Sequence, residues 1–226
     1  MGMVGLEQPL LSFPDAAEVP ESKRHFELRT LLYQFLKLAF SAVAAIGCDQ
    51  FVYWDPTNPR ACLSPDAFVR FGTKDDLFRS WKVWERGAPH VAVEILSDSD
   101  ASELGWDDKL ERYRRLGVSE LVAFDPETAE RPLRIWDFVG DDLLERRLLE
   151  PWAQSRHLGG FWLPVEQPDT GWTLRLSHDP AGTRLFPTLA DLAAREAEGR
   201  RAEAEARRAA ELRVRELEAE LRRRSP

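Results

Sequence analysis

The stretch PHVAVEILSDSDASELGWDDKLERYRRLGVSELVAFDP, Pro89 to Pro126, decides the fold. Val91-Ala92-Val93-Glu94-Ile95-Leu96 is a β-branched apolar run, the pattern of a strand buried on both faces, and a single glutamate interrupts it. Farther on, Trp106, Leu110, Tyr113 and Leu116 recur at helical spacing, and Gly117 suits the C-terminal cap of that helix. Glu120-Leu121-Val122-Ala123-Phe124 then returns as a second apolar strand. Strand, helix and strand make one crossover unit of an α/β fold. The acidic Ser97-Asp98-Ser99-Asp100 between strand and helix reads first as a helix cap, with Asp98 or Asp100 as a metal ligand the sharper alternative.

A carboxylate is almost never buried without a partner or a cation. Upstream, Leu63-Ser64-Pro65-Asp66-Ala67-Phe68-Val69 places Asp66 at the start of another short apolar strand, which Pro65 keeps extended. Two strand-borne carboxylates meet the demand of a hard cation such as magnesium, which takes one or two carboxylates and keeps its other positions for water and phosphate. Such an ion polarises a phosphoryl oxygen and activates water. Lys109, on the helix surface between Trp106 and Tyr113, can offset charge that builds on phosphorus. Taken singly, each residue has a plainer reading: Asp66 as a turn or capping residue, Glu94 as the partner of a buried arginine, Lys109 as a solvated helix residue. As an ordered triplet they favour the chemical reading.

These residues also carry a resemblance. Pro65-Asp66, VEILSDS at 93–99, KLERYRRLGVSELVAFDP at 109–126 and ESKRH at 21–25 resemble, in order and spacing, the large bacterial "putative restriction endonuclease" family of the PD-(D/E)XK superfamily, over most of residues 15–187. The resemblance implies a restriction-endonuclease-like α/β core, a mixed sheet flanked by helices, with phosphodiester hydrolysis in DNA that depends on magnesium or, in its place, manganese. It implies Asp66 and Glu94 as the metal-binding pair. The superfamily's lysine position, two residues after the glutamate, holds Leu96 here, and the resemblance implies that Lys109 of the following helix substitutes for it. It also implies a further acid from the first helix, Glu21. The expectation is a magnesium-dependent DNA endonuclease. The runner-up is a catalytically silent protein of the same fold that binds or assembles, and a nuclease for RNA or branched DNA is a second enzymatic option.

Composition bounds these readings. The chain has 226 residues, 43% of them hydrophobic, enough for one domain with a sizeable core and an extension. No run approaches a spanning helix and the first residues lack the pattern of a signal peptide, so a cytoplasmic protein is expected. Cys48 and Cys62 lack metal-site spacing and read as small core residues. Residues 191–226 hold 10 arginines against 9 acids, which leaves 21 basic against 30 acidic groups in residues 1–190, a net charge of −9. That acidity predicts weak non-specific binding to phosphates. Arg70, Lys74, Arg79, Lys82 and Arg86, interleaved with Phe71, Phe78, Trp81 and Trp84, make either a local nucleic-acid track or, more simply, an amphipathic cover.

Along the chain, residues 1–20 form a weakly patterned lead. From Glu21 a helix is expected, with Ser22 as N-cap and Leu28, Leu31, Leu32, Phe35, Leu38 and Ala39 as its stripe, running to about Ala45 and ended by Gly47. His25 lies one turn after Glu21, as a phosphate or proton-transfer group or as a solvated or hydrogen-bonded imidazole. Residues 50–54 read as a strand that makes a hairpin with the strand carrying Asp66. Residues 133–138 and 143–149 read as a hairpin around Val139 to Asp142, and residues 172–176 and 183–186 as another. After Leu189 a charged helix is expected, with acid-before-base pairs at 196/200, 203/207, 211/215, 218/222 and 220/224. Its short seam of Val214, Leu217 and Leu221 suggests contacts to a homodimer or another partner. The expected organisation is a nuclease domain over 1–190 and a helical extension over 191–226.

Overall fold

The computed structural model describes residues 22–97, 103–128, 130, 132–168 and 170–224. Helix α1 (Lys23–Phe40) starts where the Ser22 hydroxyl accepts the amide of His25, the N-cap that the sequence predicts. It buries Leu28, Leu32, Phe35, Leu36 and Phe40. The helix ends at Phe40 rather than near Ala45. Residues Ala44–Gly47 are instead a fully buried strand, β1, paired antiparallel with β4 (Ala67–Phe71). The helix-like spacing of alanines there yields to the edge of β4, which needs a partner for its backbone groups.

One sheet of six strands holds the centre, in the order β1-β4-β6-β7-β8-β9. Strands β6 (Val91–Ile95) and β7 (Glu120–Phe124) are parallel, as their crossover through α3 (Glu103–Leu116) requires. The flanking pairs, including the hairpin of β8 (Leu133–Val139) and β9 (Asp142–Glu145), are antiparallel. Alternation along each strand divides the core in two. Val91, Val93 and Ile95 of β6 and Val122 and Phe124 of β7 face α1, while Ala92, Leu121 and Ala123 face Trp106, Tyr113 and Leu116 of α3. The result is the expected α/β core, a mixed sheet with a helix on each face. Helix α3 stops where Gly117 takes φ 78° and its amide reaches the carbonyls of Tyr113 and Arg114, an end that suits glycine.

The segment before Asp66 departs from the expected hairpin. Strand β2 (Val52–Tyr53) pairs with β3 (Cys62–Leu63), not with the strand that follows Asp66, and runs parallel to β5 (Trp81–Lys82) in a separate small sheet. Short helix α2 (Val83–Arg86) completes this cover. Trp81 is its anchor, with its ring edge-on to Phe68 at 5.1 Å and its indole N–H on the carbonyl of Gly87 at 2.9 Å. A third sheet, β10 (Ala153–Gln154), β11 (Phe161–Gln167) and β12 (Gly171–Ser177), adds Trp162, Leu174 and Leu176 to the core on the α1 side. Residues 172–176 therefore pair with β11, and 183–186 contribute only an isolated bridge from Leu185 to Ser177. Cys48 and Cys62 are half-buried thiols outside any disulfide rather than core residues.

The described residues up to Phe186 form one compact unit and those from Pro187 a second. In the second, α4 (Leu189–Arg224) begins at a reciprocal cap: Thr188 N–H and hydroxyl bond the Asp191 carboxylate at 2.7 Å each, and the Asp191 amide returns to the Thr188 hydroxyl at 3.1 Å. Of the expected pairs, 196/200, 218/222 and 220/224 form, whereas Arg207 turns forward to Glu211. Leu212, Val214 and Leu217 are exposed along it. No helix among the described residues is long and apolar enough to cross a membrane.

Candidate active site

The register Ala67↔Val93 between β4 and β6, extended by one residue, sets Asp66 opposite Glu94 at the end of the two strands. Opposed residues of an antiparallel pair point to the same face. Because Val93 and Ile95 face α1, Glu94 points to the α3 side. Both carboxylates are buried. Asp66 accepts the Ile95 amide on Oδ2 at 2.7 Å and meets His25 Nε2 on Oδ1 at 2.8 Å. Glu94 accepts the Lys109 ammonium on Oε2 at 2.8 Å and the Tyr113 hydroxyl on Oε1. Lys109 and Tyr113 stand four apart on α3, one above the other on one face of the helix.

Burial pushes the Glu94 carboxyl up to about 7, with the Lys109 ammonium opposing, the Asp66 charge adding to the rise, and hydrogen bonds from Lys109 and Tyr113 holding it down. Two acids thus share a dry place in which one ammonium compensates incompletely. A divalent cation would supply the missing positive charge. The donor set fits a hard ion: two carboxylates, all oxygen, on rigid strands. Among the described residues no group of three or more His, Cys, Asp and Glu side chains is placed to cage a metal. With two carboxylates as ligands, a hard divalent ion would keep water in several of its positions.

Asp66, Glu94 and Lys109, the three residues singled out together in the sequence, converge. His25 joins them through Asp66. Glu21, Asp98 and Asp100 lie outside the described residues. Leu96, at the superfamily's lysine position, is partly buried against the α3-side core. Tyr113, which the sequence offers only as part of a packing stripe, is a polar member of the site. Its signal is the four-residue step from Lys109, legible once the glutamate is known to lie beneath both. The arginines and lysines of residues 70–86 behave as a cover. Lys74 pairs with Asp76 and Lys82 with Glu85, Arg86 lies over the Phe78 ring at 4.2 Å, and Trp81 is in the core.

A second buried polar cluster sits at the opposite end of β7 and has no counterpart in the sequence reading. Fully buried Glu120 accepts the Ser155 hydroxyl at 2.7 Å, the Arg156 amide at 2.8 Å and the Trp162 indole N–H at 3.2 Å. Arg146 bridges it to buried Asp137. Every carboxylate oxygen there has a protein partner, so the cluster is a clip that ties residues 146–162 to the sheet.

Residues 16–176, well over half of the chain, match the model of the Uma2 family, described as "Putative restriction endonuclease". Among solved structures the chain is similar to "a putative nuclease belonging to DUF820 from Anabaena variabilis ATCC 29413", at 14% identity over 77% of this chain and 82% of that one, with a TM-score of 0.44. Comparison with curated proteins gave no match.

Proposed function

The chain belongs to the Uma2 family, and from that premise we propose that it is a magnesium-dependent endonuclease that hydrolyses phosphodiester bonds in DNA. The observation that carries the reading is the convergence of Asp66, Glu94 and Lys109 in one buried centre at the end of β4 and β6. Asp66 and Glu94 would hold the ion. When bound, magnesium polarises a phosphoryl oxygen and lowers the pKa of its water. The protein's own part is positional. The Ile95 amide and His25 fix the plane of the Asp66 carboxylate, and Tyr113 fixes that of Glu94. Lys109, whose ammonium lies 2.8 Å from Glu94, would present it to the phosphoryl oxygens and stabilise the charge that grows there.

A second reading, a protein of this fold that binds or assembles without cutting, is favoured by the Lys109–Glu94 ion pair and by the acidic body of the chain, net −9 over residues 1–190. Cleavage decides between them. Purified protein with magnesium or manganese should nick or cut plasmid DNA, chelator should stop it, and Asp66→Asn should abolish it without loss of fold. Failure to cut duplex, single-stranded and branched DNA would overturn the enzymatic reading.

A further inference from the structure

An open cleft of about 630 Å³ lies beside α3, lined by Trp54, Asn58, Arg60, Asp108, Arg112 and Arg115 among others. Asp108, Arg112 and Arg115 fall at i, i+4 and i+7 of the helix, one stripe of its surface. The adjoining stripe carries Lys109 and Tyr113, whose polar ends reach Glu94. Arg112 follows Lys109 by only about 4.5 Å along the helix axis. Its guanidinium donates to the carbonyl of Cys62 at 2.5 Å, which ties the cleft to the chain just before Asp66. Cleft and carboxylate centre are thus built on the same two segments.

The walls combine three kinds of recognition. Trp54 is partly buried against the α3-side core and offers an indole to the cleft. Arg60 is exposed, and its guanidinium makes no ion pair or hydrogen bond among the described residues. Arg115 is held by Glu111 at 2.8 Å, at the rim. Asp55 also lines the cleft, but Thr57 takes its carboxylate with N–H and hydroxyl at 2.8 and 2.6 Å. Asp108 remains as an acceptor, and Asn58, whose Oδ1 accepts the Arg60 amide at 3.0 Å, keeps its side-chain N–H groups as donors. A ligand for these walls needs a flat aromatic face, amino or imino hydrogens, and negative charge. A nucleotide has all three, and the volume lies within the roughly 300–1,000 Å³ of small-molecule sites. In an intact duplex the base faces are stacked on each other and cannot meet an indole.

We propose that this cleft holds one unpaired nucleotide of the DNA strand beside the phosphate to be cut, which directs the protein to DNA with single-stranded character rather than to continuous duplex. The placement beside a scissile phosphate rests on the nuclease reading above; the binding chemistry does not. The test is fluorescence anisotropy of the full chain, in chelator, with a labelled single-stranded DNA oligomer and its perfect duplex. The single strand should bind at least about tenfold tighter. Trp54→Leu should weaken single-strand binding by about 5- to 160-fold, the range of one base–aromatic stack. Arg60→Ala should weaken it and lower the slope of log affinity against log salt by about 0.7. Because Trp54 touches the core, Arg60→Ala, an exposed change, decides the matter if the tryptophan variant does not fold. Equal affinity for duplex and single strand, or wild-type affinity and salt slope in Arg60→Ala, would overturn the proposal. Failure of the nuclease reading looks different: magnesium would leave both substrates uncut while the single-strand preference and the Arg60 effect persist, a result that supports the cleft's occupant without the reaction.

Discussion

Replacing Glu94 with glutamine tests the electrostatic account of the centre without relying on catalysis. In the folded protein the Glu94 carboxyl is pushed from the 4.5 of an ordinary glutamate up to about 7, chiefly by burial. Between those two values the folded state keeps a proton that the unfolded chain has released, so stability falls as pH rises through the window and the whole penalty is present above it. A separation of that size corresponds to roughly 3 kcal/mol. Among the described residues, the charged or titratable groups that face Glu94 are Lys109 and Tyr113 from α3 and Asp66, with His25 behind it from α1. Denaturant unfolding in chelator, from pH 5 to pH 8, should therefore show Glu94→Gln gaining on the wild type by up to about 3 kcal/mol across that range. Magnesium should stabilise the wild type more at pH 8 than at pH 5, because only there must a second negative charge be neutralised. A wild-type to Glu94→Gln difference that stays constant with pH would refute the picture of an incompletely compensated buried acid.

Other changes probe the remaining parts. Lys109→Met keeps the aliphatic stem and loses the ammonium, so single-turnover cleavage should drop about 10²- to 10³-fold while magnesium still binds; wild-type rates would show that this lysine is not the catalytic cation. Adding Leu96→Lys to that variant should restore part of the rate, since residues two apart on a strand share a face, and no recovery would mean that the ammonium cannot reach the centre from β6. Arg146→Met strands the buried Glu120 and Asp137 carboxylates and should cost about 3–5 kcal/mol in denaturant unfolding, with little cost refuting the clip. A chain ending at Phe186 should still unfold cooperatively, and loss of that transition would show that residues 187–226 belong to the core.

The crossover unit was legible because its signals agree with one another. A β-branched run, a helical stripe, a terminal glycine and a second apolar run allow few alternatives, and the lone Glu94 inside such a run announces a partner. What escaped the sequence depends on neighbours distant in the chain. Strand β1 is a run of small residues continuous with a helical pattern, and only the unpaired edge of β4 makes it a strand. Strand β11 contains Pro164, which argues against a strand with neighbours on both sides. Its register explains the exception: β10 covers only Phe161 and Trp162, so Pro164 pairs with Leu174 on one side and faces no strand on the other. The Glu120 cluster draws on residues from 120 to 162, with no local spacing to reveal it.

The position of Lys109 follows from the same topology. Glu94 lies one residue before the end of β6, and α3 lies across one face of the sheet between β6 and its parallel neighbour β7. The inward stripe of the returning helix then passes over the strand end it has just left. Trp106 and Tyr113, both core residues, fix that stripe, and Lys109 lies between them, with its ammonium 6.0 Å from the Trp106 ring centre and 2.8 Å from Glu94. A lysine two residues after the glutamate would reach the same space from the strand below; in this chain Leu96 fills that place and packs. The proposed chemistry calls for an ammonium at a point in space, and the crossover offers two chain positions that can supply it. The helical choice has a consequence that the strand choice lacks. Both donors to Glu94, Lys109 and Tyr113, ride on one helix. Any displacement of α3 from the sheet withdraws them together, leaves Glu94 buried beside Asp66, and so ties the charge balance of the centre to the docking of that helix.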